Sequence, residues 1–321
     1  MEATRESPSL RTVTAGGLDL AVWEWPGRDP PLIFAHATGF HGRCWDQIAR
    51  RFPGRRRLAL DFRGHGRSGK PCPPIPWPCF GQDVVAVVEQ FDVESAVGIG
   101  HSMGGHALVS AVAARPRTFA ALLLVDPVIF PPRHYGAGPP DASFILRRRA
   151  RWSSPEEMFE RFRPRPPFSG WQPEVLRDYC EFGLLPHDGG FTLACPPAVE
   201  AAIYGHSNLP DANLYGVIPT IAQTVTVLRA GVPARPGVFD LSASPTAPDL
   251  AAKFPRGRDL LLPDRNHFIP MECPDLVAQE IRRSRLAPRA YFLNVFHRPV
   301  PSTVDSATSV TGSTAPIGLA V

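Results

Sequence analysis

The sequence predicts an α/β fold: a mostly parallel, eight-stranded type of sheet flanked by helices, with a helical insertion after its middle strands. Three observations carry this. Short apolar runs of strand length alternate with longer segments of helical periodicity, the pattern of strands joined by crossover helices. One such run, Ser95-Ala96-Val97-Gly98-Ile99, leads into Gly100-His101-Ser102-Met103-Gly104-Gly105 and then into an Ala-, Val- and Leu-rich stretch at 106–114. A serine on a strand-to-helix turn, with glycines two before and two after, is pushed out of the sheet where a nucleophile would be needed. Finally, residues 131–216 change character, with Pro164, Pro166, Pro167 and Pro173 crowding among aromatic residues and arginines.

Taken in order, residues 10–25 alternate polar and apolar around Gly16-Gly17 and read as an opening hairpin, and 26–31 as a turn. Residues 32–35 (Leu-Ile-Phe-Ala) form a short strand, and 57–60 (Arg-Leu-Ala-Leu) the next. Across 81–91, Val84, Val85, Val88 and Phe91 recur at helical spacing, with Asp83 and Glu89 off that face. The stretch 120–125 is a wholly apolar strand closed by Asp126-Pro127. Helices open with proline, suited to a first helical turn, at 155–162, 173–182 and 197–204, and no strand is expected between them. The sheet resumes at 224–230, a loop follows at 231–245, a helix at 247–254, the last strand at 258–262 and a closing helix at 274–286. The domain division is therefore a core of 1–130 and 217–290, an insertion at 131–216, and a small, polar tail at 291–321 that reads as disordered.

Two further stretches join the serine turn in a family resemblance. The strand at 32–35 ends in His36-Ala37-Thr38-Gly39-Phe40, and the strand at 57–60 in Asp61-Phe62-Arg63-Gly64-His65-Gly66-Arg67-Ser68. Together with Gly100–Gly105 and the late His267-Phe268-Ile269-Pro270-Met271-Glu272, these resemble, in order, the motifs of the α/β-hydrolase fold family. The likeness covers about residues 10–286. It implies an α/β-hydrolase sheet whose insertion serves as a lid. It also implies an oxyanion hole built from the backbone N–H groups of Thr38 and Met103, although Ala37 stands where glycine is commoner. The Asp61–Ser68 loop would brace its neighbour, so His65 is not a candidate base.

A lone serine is a weak nucleophile at neutral pH and needs a base, which itself needs a partner to fix its tautomer. The resemblance implies the chain order Ser, acid, His, which makes Ser102 the nucleophile. Of ten histidines, only His267 follows the last strand within a matching motif. His36, His65 and His101 sit in loops that backbone shaping explains; His134, His187 and His206 fall in the insertion; His41, His106 and His297 carry no motif. For the acid two positions stay open. Asp240 follows the 224–230 strand, though late in its loop, and is favoured on chain order. Asp126 occupies an alternative position used by some members of the family, where an aspartate before proline would also simply end a strand.

Composition narrows the remaining classes. With 44% hydrophobic and 20% charged residues over 321 positions, the chain can bury a full core. The net charge of +4 is carried almost wholly by arginine, with Lys70 and Lys253 the only lysines. The densest basic run, Arg147-Arg148-Arg149-Ala150-Arg151, lacks any surrounding nucleic-acid motif and reads as a solvated helix face. Six scattered cysteines without a C-x-x-C pair, no signal-peptide pattern and no membrane-length apolar stretch point to a soluble cytoplasmic protein. No H-E-x-x-H, cysteine–histidine cluster or G-x-G-x-x-G is present, so neither a metal nor a dinucleotide cofactor is implied. The expected partner is a small molecule rather than nucleic acid or membrane. The expected activity is hydrolysis of a small or medium apolar ester through an acyl-enzyme, in a pocket between the carboxyl ends of the strands and a lid carrying Phe159, Phe162, Phe168, Trp171, Tyr179, Phe182 and Tyr204, of which about a third would face substrate and the rest form lid core. Alternatives on the same residues are carbon–carbon bond hydrolysis, cofactor-free perhydrolysis and slow-turnover small-molecule reception. A haloalkane dehalogenase is disfavoured, since it needs a carboxylate where Ser102 stands.

Overall fold

The computed structural model describes residues 6–138, 140–232 and 240–284, all within one compact unit, Met1–Ala287. The tail expected at 291–321 lies outside the described residues. The chain opens with strands β1 (Ser9–Ala15) and β2 (Leu18–Trp25), paired antiparallel as the alternation predicts. β3 (Arg28–Ala35) begins earlier than expected and absorbs most of the anticipated turn. Its pairing with β4 (Arg55–Leu60) is irregular between Arg28 and Leu32, where two prolines cannot donate to a ladder. Between them lies a short helix, α1 (Asp46–Ala49).

Then follow α2 (Pro78–Gln90), β5 (Ala96–His101), α3 (Met103–Ala114) and β6 (Phe119–Val125). After the insertion come β10 (Thr224–Ala230), β11 (Gly257–Leu262), α7 (Ile269–Glu272) and α8 (Pro274–Ser284). The helix expected at 247–254 is a single 3-10 turn, Leu250–Lys253. The eight strands run in the order β1-β2-β4-β3-β5-β6-β10-β11, antiparallel only for the β1/β2 and β2/β4 pairs. Strand side chains alternate between two cores. Ile33, Leu122 and Leu124 pack with Val84 and Leu108 of α2 and α3. Phe34, Leu123 and Val125 pack on the other side with Ile48 of α1 and Ile281 of α8. That covering on both faces is why β5 and β6 read as continuous apolar runs.

The insertion carries α4 (Pro155–Phe162), α5 (Pro173–Phe182) and α6 (Pro197–Gly205), with the first two bounded as the sequence predicts. The start of α4 is fixed by Ser154, whose hydroxyl accepts the Glu157 N–H at 3.0 Å. The insertion is not all helical, however. β7 (Arg151–Trp152), β8 (Leu184–His187) and β9 (Gly190–Leu193) form a small antiparallel sheet. β8 and β9 are joined by Asp188-Gly189, both at positive φ, a two-residue turn whose twist matches the strands it connects. A third core, including Phe40, Trp152, Met158, Trp171, Tyr179 and Phe268, joins the insertion to the loops at the carboxyl ends of the strands.

Candidate active site

Ser102 sits between β5 and α3 with φ 57° and ψ −118°, a conformation that non-glycine residues hold only where the surroundings dictate it. Two neighbouring glycines make the turn possible. A Cβ on Gly104 would lie 2.1 Å from the Ala35 carbonyl oxygen, and one on Gly100 would lie 2.5 Å from that of Gly104. The Ser102 N–H donates to the Val125 carbonyl at 3.0 Å, and Val128 N–H to the Ser102 carbonyl at 3.1 Å. The serine is thereby tied to the end of the adjacent strand.

That adjacent strand supplies the acid. The Ser102 hydroxyl donates to His267 Nε2 at 2.9 Å, and His267 Nδ1–H donates to Asp126 Oδ2 at 2.7 Å. Asp240, favoured from chain order, is exposed, and its Oδ1 accepts the Ser242 N–H at 2.8 Å within its own turn. The expectation that Asp240 orients His267 is therefore corrected to Asp126, the alternative position. The loop after β10 reaches the site by other groups. The Ser242 carbonyl accepts the His267 N–H at 2.9 Å, and the Ser244 hydroxyl donates to Asp126 Oδ1 at 2.6 Å. The same Oδ1 accepts Ala230 N–H at 3.0 Å, and Thr246 Oγ1 lies 3.1 Å from it, shared with the Pro127 carbonyl at 2.7 Å. Burial alone would raise the Asp126 pKa, but the bonds from His267, Ser244 and Ala230 hold it below the usual carboxylate value. Asp126 is thus a buried, ionised acceptor, and the relay can draw a proton from Ser102.

Thr38 and Met103 lie together beside the serine, with Thr38 Oγ1 3.3 Å from Met103 Sδ. Met103 is the first residue of α3, so its N–H belongs to the first turn, where backbone donors lack intrahelical acceptors. The loop holding Thr38 is braced from the Asp61–Ser68 segment, as expected. His65 Nε2 accepts the Gly39 N–H at 3.0 Å, and His36 Nε2 accepts the Phe62 N–H at 3.0 Å. Asp61 in turn accepts the N–H groups of Gly42 at 2.6 Å and Arg67 at 2.8 Å. Accepting through Nε2 requires neutral rings with the proton on Nδ1, and burial enforces that state, pushing the His65 pKa down to about 4 and that of His36 well below its usual value. His101 is likewise pushed down to about 3, chiefly by burial, and its Nε2–H donates to the His267 carbonyl at 2.8 Å.

Two cavities meet at Ser102. The smaller, about 180 Å³, is lined by Trp77, Val128, Phe130, Asp240 and Leu241 among others. The larger, about 420 Å³, runs beneath the insertion past Phe162, Phe168, Trp171, Tyr179 and Tyr204. Thr38, Ser102 and His267 line both. Of the seven lid aromatics, five line the larger cavity, more than the third expected, and Phe159 and Phe182 line neither. Phe159 is buried against Arg177, and Phe182 lies under Arg43.

Ser102 on the strand-to-helix turn, His267 on the loop after the last strand and buried Asp126 thus form one hydrogen-bonded line. Residues 32–280 match the alpha/beta hydrolase family, and the chain belongs to it. It is 29% identical over 297 residues to lipase LipV of Mycobacterium tuberculosis (strain ATCC 25618 / H37Rv), covering 85% of this chain and 99% of that one. It is 38% identical over 106 residues to the bifunctional esterase/perhydrolase DCH of Acinetobacter calcoaceticus, a match spanning 32% of this chain and 38% of the relative. Against several curated relatives the chain spans less than half of the relative's length. In fold it is similar to E-2-(acetamidomethylene)succinate hydrolase, with a TM-score of 0.68, 18% identity, and coverage of 87% and 99% of the two chains. No helix among the described residues is long and apolar enough to cross a membrane.

Proposed function

We propose that the chain is a serine hydrolase of ester-like substrates, with Ser102 as nucleophile, His267 as general base and acid, and Asp126 as the orienting carboxylate. The observation that carries this reading is the unbroken line of hydrogen bonds from Ser102 Oγ through His267 to Asp126. As Oγ bonds to the ester carbonyl carbon, His267 Nε2 takes the hydroxyl proton and the carbonyl π pair moves onto oxygen. The N–H groups of Met103 and Thr38 receive that oxyanion; removing one such donor typically slows turnover by about a hundredfold or more. Collapse breaks the carbon–oxygen bond to the leaving alcohol, which departs with the proton from His267. Water then gives a proton to His267 and attacks the acyl-enzyme, releasing the acid and restoring the serine hydroxyl. Asp126 remains ionised throughout, and the insertion acts as the lid over the larger cavity.

A fluorophosphonate probe is expected to label Ser102, and Ser102→Ala to lose both labelling and hydrolysis of p-nitrophenyl esters while melting normally. An adduct mapped to another serine would overturn the mechanism. A second reading, perhydrolysis, is favoured by the relative named an esterase/perhydrolase. Hydrogen peroxide would replace water as the attacking group, and peracid formation from peroxide and a short carboxylic acid measures it directly.

A further inference from the structure

The larger cavity has aromatic walls and a charged rim. Five arginines line it, Arg147, Arg148, Arg149, Arg161 and Arg165, against one carboxylate, Glu200. The basic run 147–151 is solvated as expected at Arg147, Arg149 and Arg151, but it is not a helix face. It passes from a 3-10 turn (Ile145–Arg147) into β7, with Arg148 half-buried. Two of the five guanidinium groups are committed. Arg148 pairs with buried Glu200 and donates to the Tyr179 hydroxyl at 3.1 Å. Arg149 pairs with Glu157 at 2.6 Å and lies 4.2 Å over the Trp152 ring. Arg147 has Asp141 in its field. Arg161, in the last turn of α4, and Arg165, just beyond it, make no ion pair among the described residues, whereas Arg163 between them pairs outward with Glu160 at 2.8 Å. Both therefore bring to the cavity a charge that no carboxylate among the described residues answers. In the same lining Phe162 and Phe168 stack at 4.4 Å, and Trp171 lies 4.9 Å from Phe168 and 5.3 Å from Phe268, the neighbour of His267.

We propose that the larger cavity selects esters whose far end carries an anion, a carboxylate or a phosphate, held by Arg161 and Arg165 with Arg147 in support. The apolar stem of the substrate lies along Phe162, Phe168 and Trp171, which presents the ester carbonyl to Ser102. Guanidinium groups suit this task because their planar fork matches both oxyanions bidentately and stays charged at every working pH. The proposal rests on the serine-hydrolase reading and leaves the reaction itself unchanged.

The test compares p-nitrophenyl octanoate with the mono-p-nitrophenyl ester of suberic acid and with an octanoate ester bearing a terminal phosphonate. At low ionic strength kcat/KM for at least one charged ester is expected to exceed that of the neutral ester by about tenfold or more, and the preference should shrink as salt screens it. Whichever anion is favoured identifies the head group. In Arg161→Gln/Arg165→Gln the charged-to-neutral ratio should fall toward one, and in Arg161→Lys/Arg165→Lys only part of it should be lost. A chain that favours neither charged ester, or whose preference survives the double glutamine change, overturns the proposal while fluorophosphonate labelling of Ser102 keeps the hydrolase reading intact. Absence of both labelling and ester turnover would instead remove the hydrolase reading and this proposal with it.

Discussion

Replacing Asp126 by asparagine probes the relay where its geometry is most constrained. Oδ1 accepts the Ala230 N–H at 3.0 Å and the Ser244 hydroxyl at 2.6 Å, so the asparagine oxygen must take that place. Turning the amide round would set its NH2 against those donors, at about 1–3 kcal/mol for each buried group left unpaired. The NH2 therefore faces His267 Nδ1, 2.7 Å away in the parent protein, and the imidazole must present a lone pair there. Its proton moves to Nε2, the atom that has to accept from Ser102. Without the carboxylate, the imidazolium formed during acylation also loses its counter-charge. The equivalent change in a serine protease lowers turnover about 10⁴-fold, which corresponds to ~5 kcal/mol of barrier. We expect kcat on p-nitrophenyl esters to fall by that order in Asp126→Asn, with the thermal melt establishing that the protein is folded. Asp240→Asn, exposed at the edge of the smaller cavity and making no bond to His267, should keep kcat within about threefold of the parent. A folded Asp126→Asn protein retaining a tenth or more of parental turnover would refute the reasoning.

Two further expectations concern stability and the strained turn. Gly104→Ala should leave little folded, active protein, because its Cβ would fall 2.1 Å from the Ala35 backbone oxygen; near-normal expression and turnover would show that β3 and α3 can part without consequence. Acidification should unfold the chain earlier than carboxylate titration alone would. His41 and His101 are held down to about 3 and His65 and His106 to about 4 by burial, so the unfolded chain binds protons that the folded one refuses. Stability from these groups is complete above the unfolded histidine value near pH 6.5 and is lost as pH falls below it, by up to ~1.4 kcal/mol per histidine per pH unit. A melting temperature that stays level from about pH 7 to pH 4.5 would contradict this.

Most of the sheet and much of the site were legible because the residues concerned answer local demands. Ser102 is marked by the glycines that its turn requires, and His267 by a motif at a strand end. Asp126 was weighed but ranked second, because its role depends on a non-local fact: β6 and β10 lie side by side in register, Val125 opposite Leu228, with the Asp126 N–H on the Leu228 carbonyl at 2.7 Å. Nothing in the chain order reveals that Ser244 and Ala230 converge on its carboxylate. The β8–β9 hairpin was missed although a local signal existed, since Asp188-Gly189 is a strong two-residue hairpin turn. That the arginine run leads into a strand rather than a helix left no local signal, since β7 pairs far along the chain, with Arg151 opposite Thr192.

With nucleophile and acid on neighbouring strands, the stretch following β10 serves as a clamp on the carboxylate rather than as its source. Ser102 and Asp126 are laced together by Ser102 N–H to Val125 and Val128 N–H to Ser102, while His267 arrives from beyond β11. Among the described residues after β10, Ser244 and Thr246 hold Asp126 through their hydroxyls, and Ser242 holds the His267 N–H through its carbonyl. For an engineer that clamp is a point of adjustment. Shortening Thr246 would loosen the carboxylate's setting, and with it the poise of His267, while nucleophile and base stayed in place.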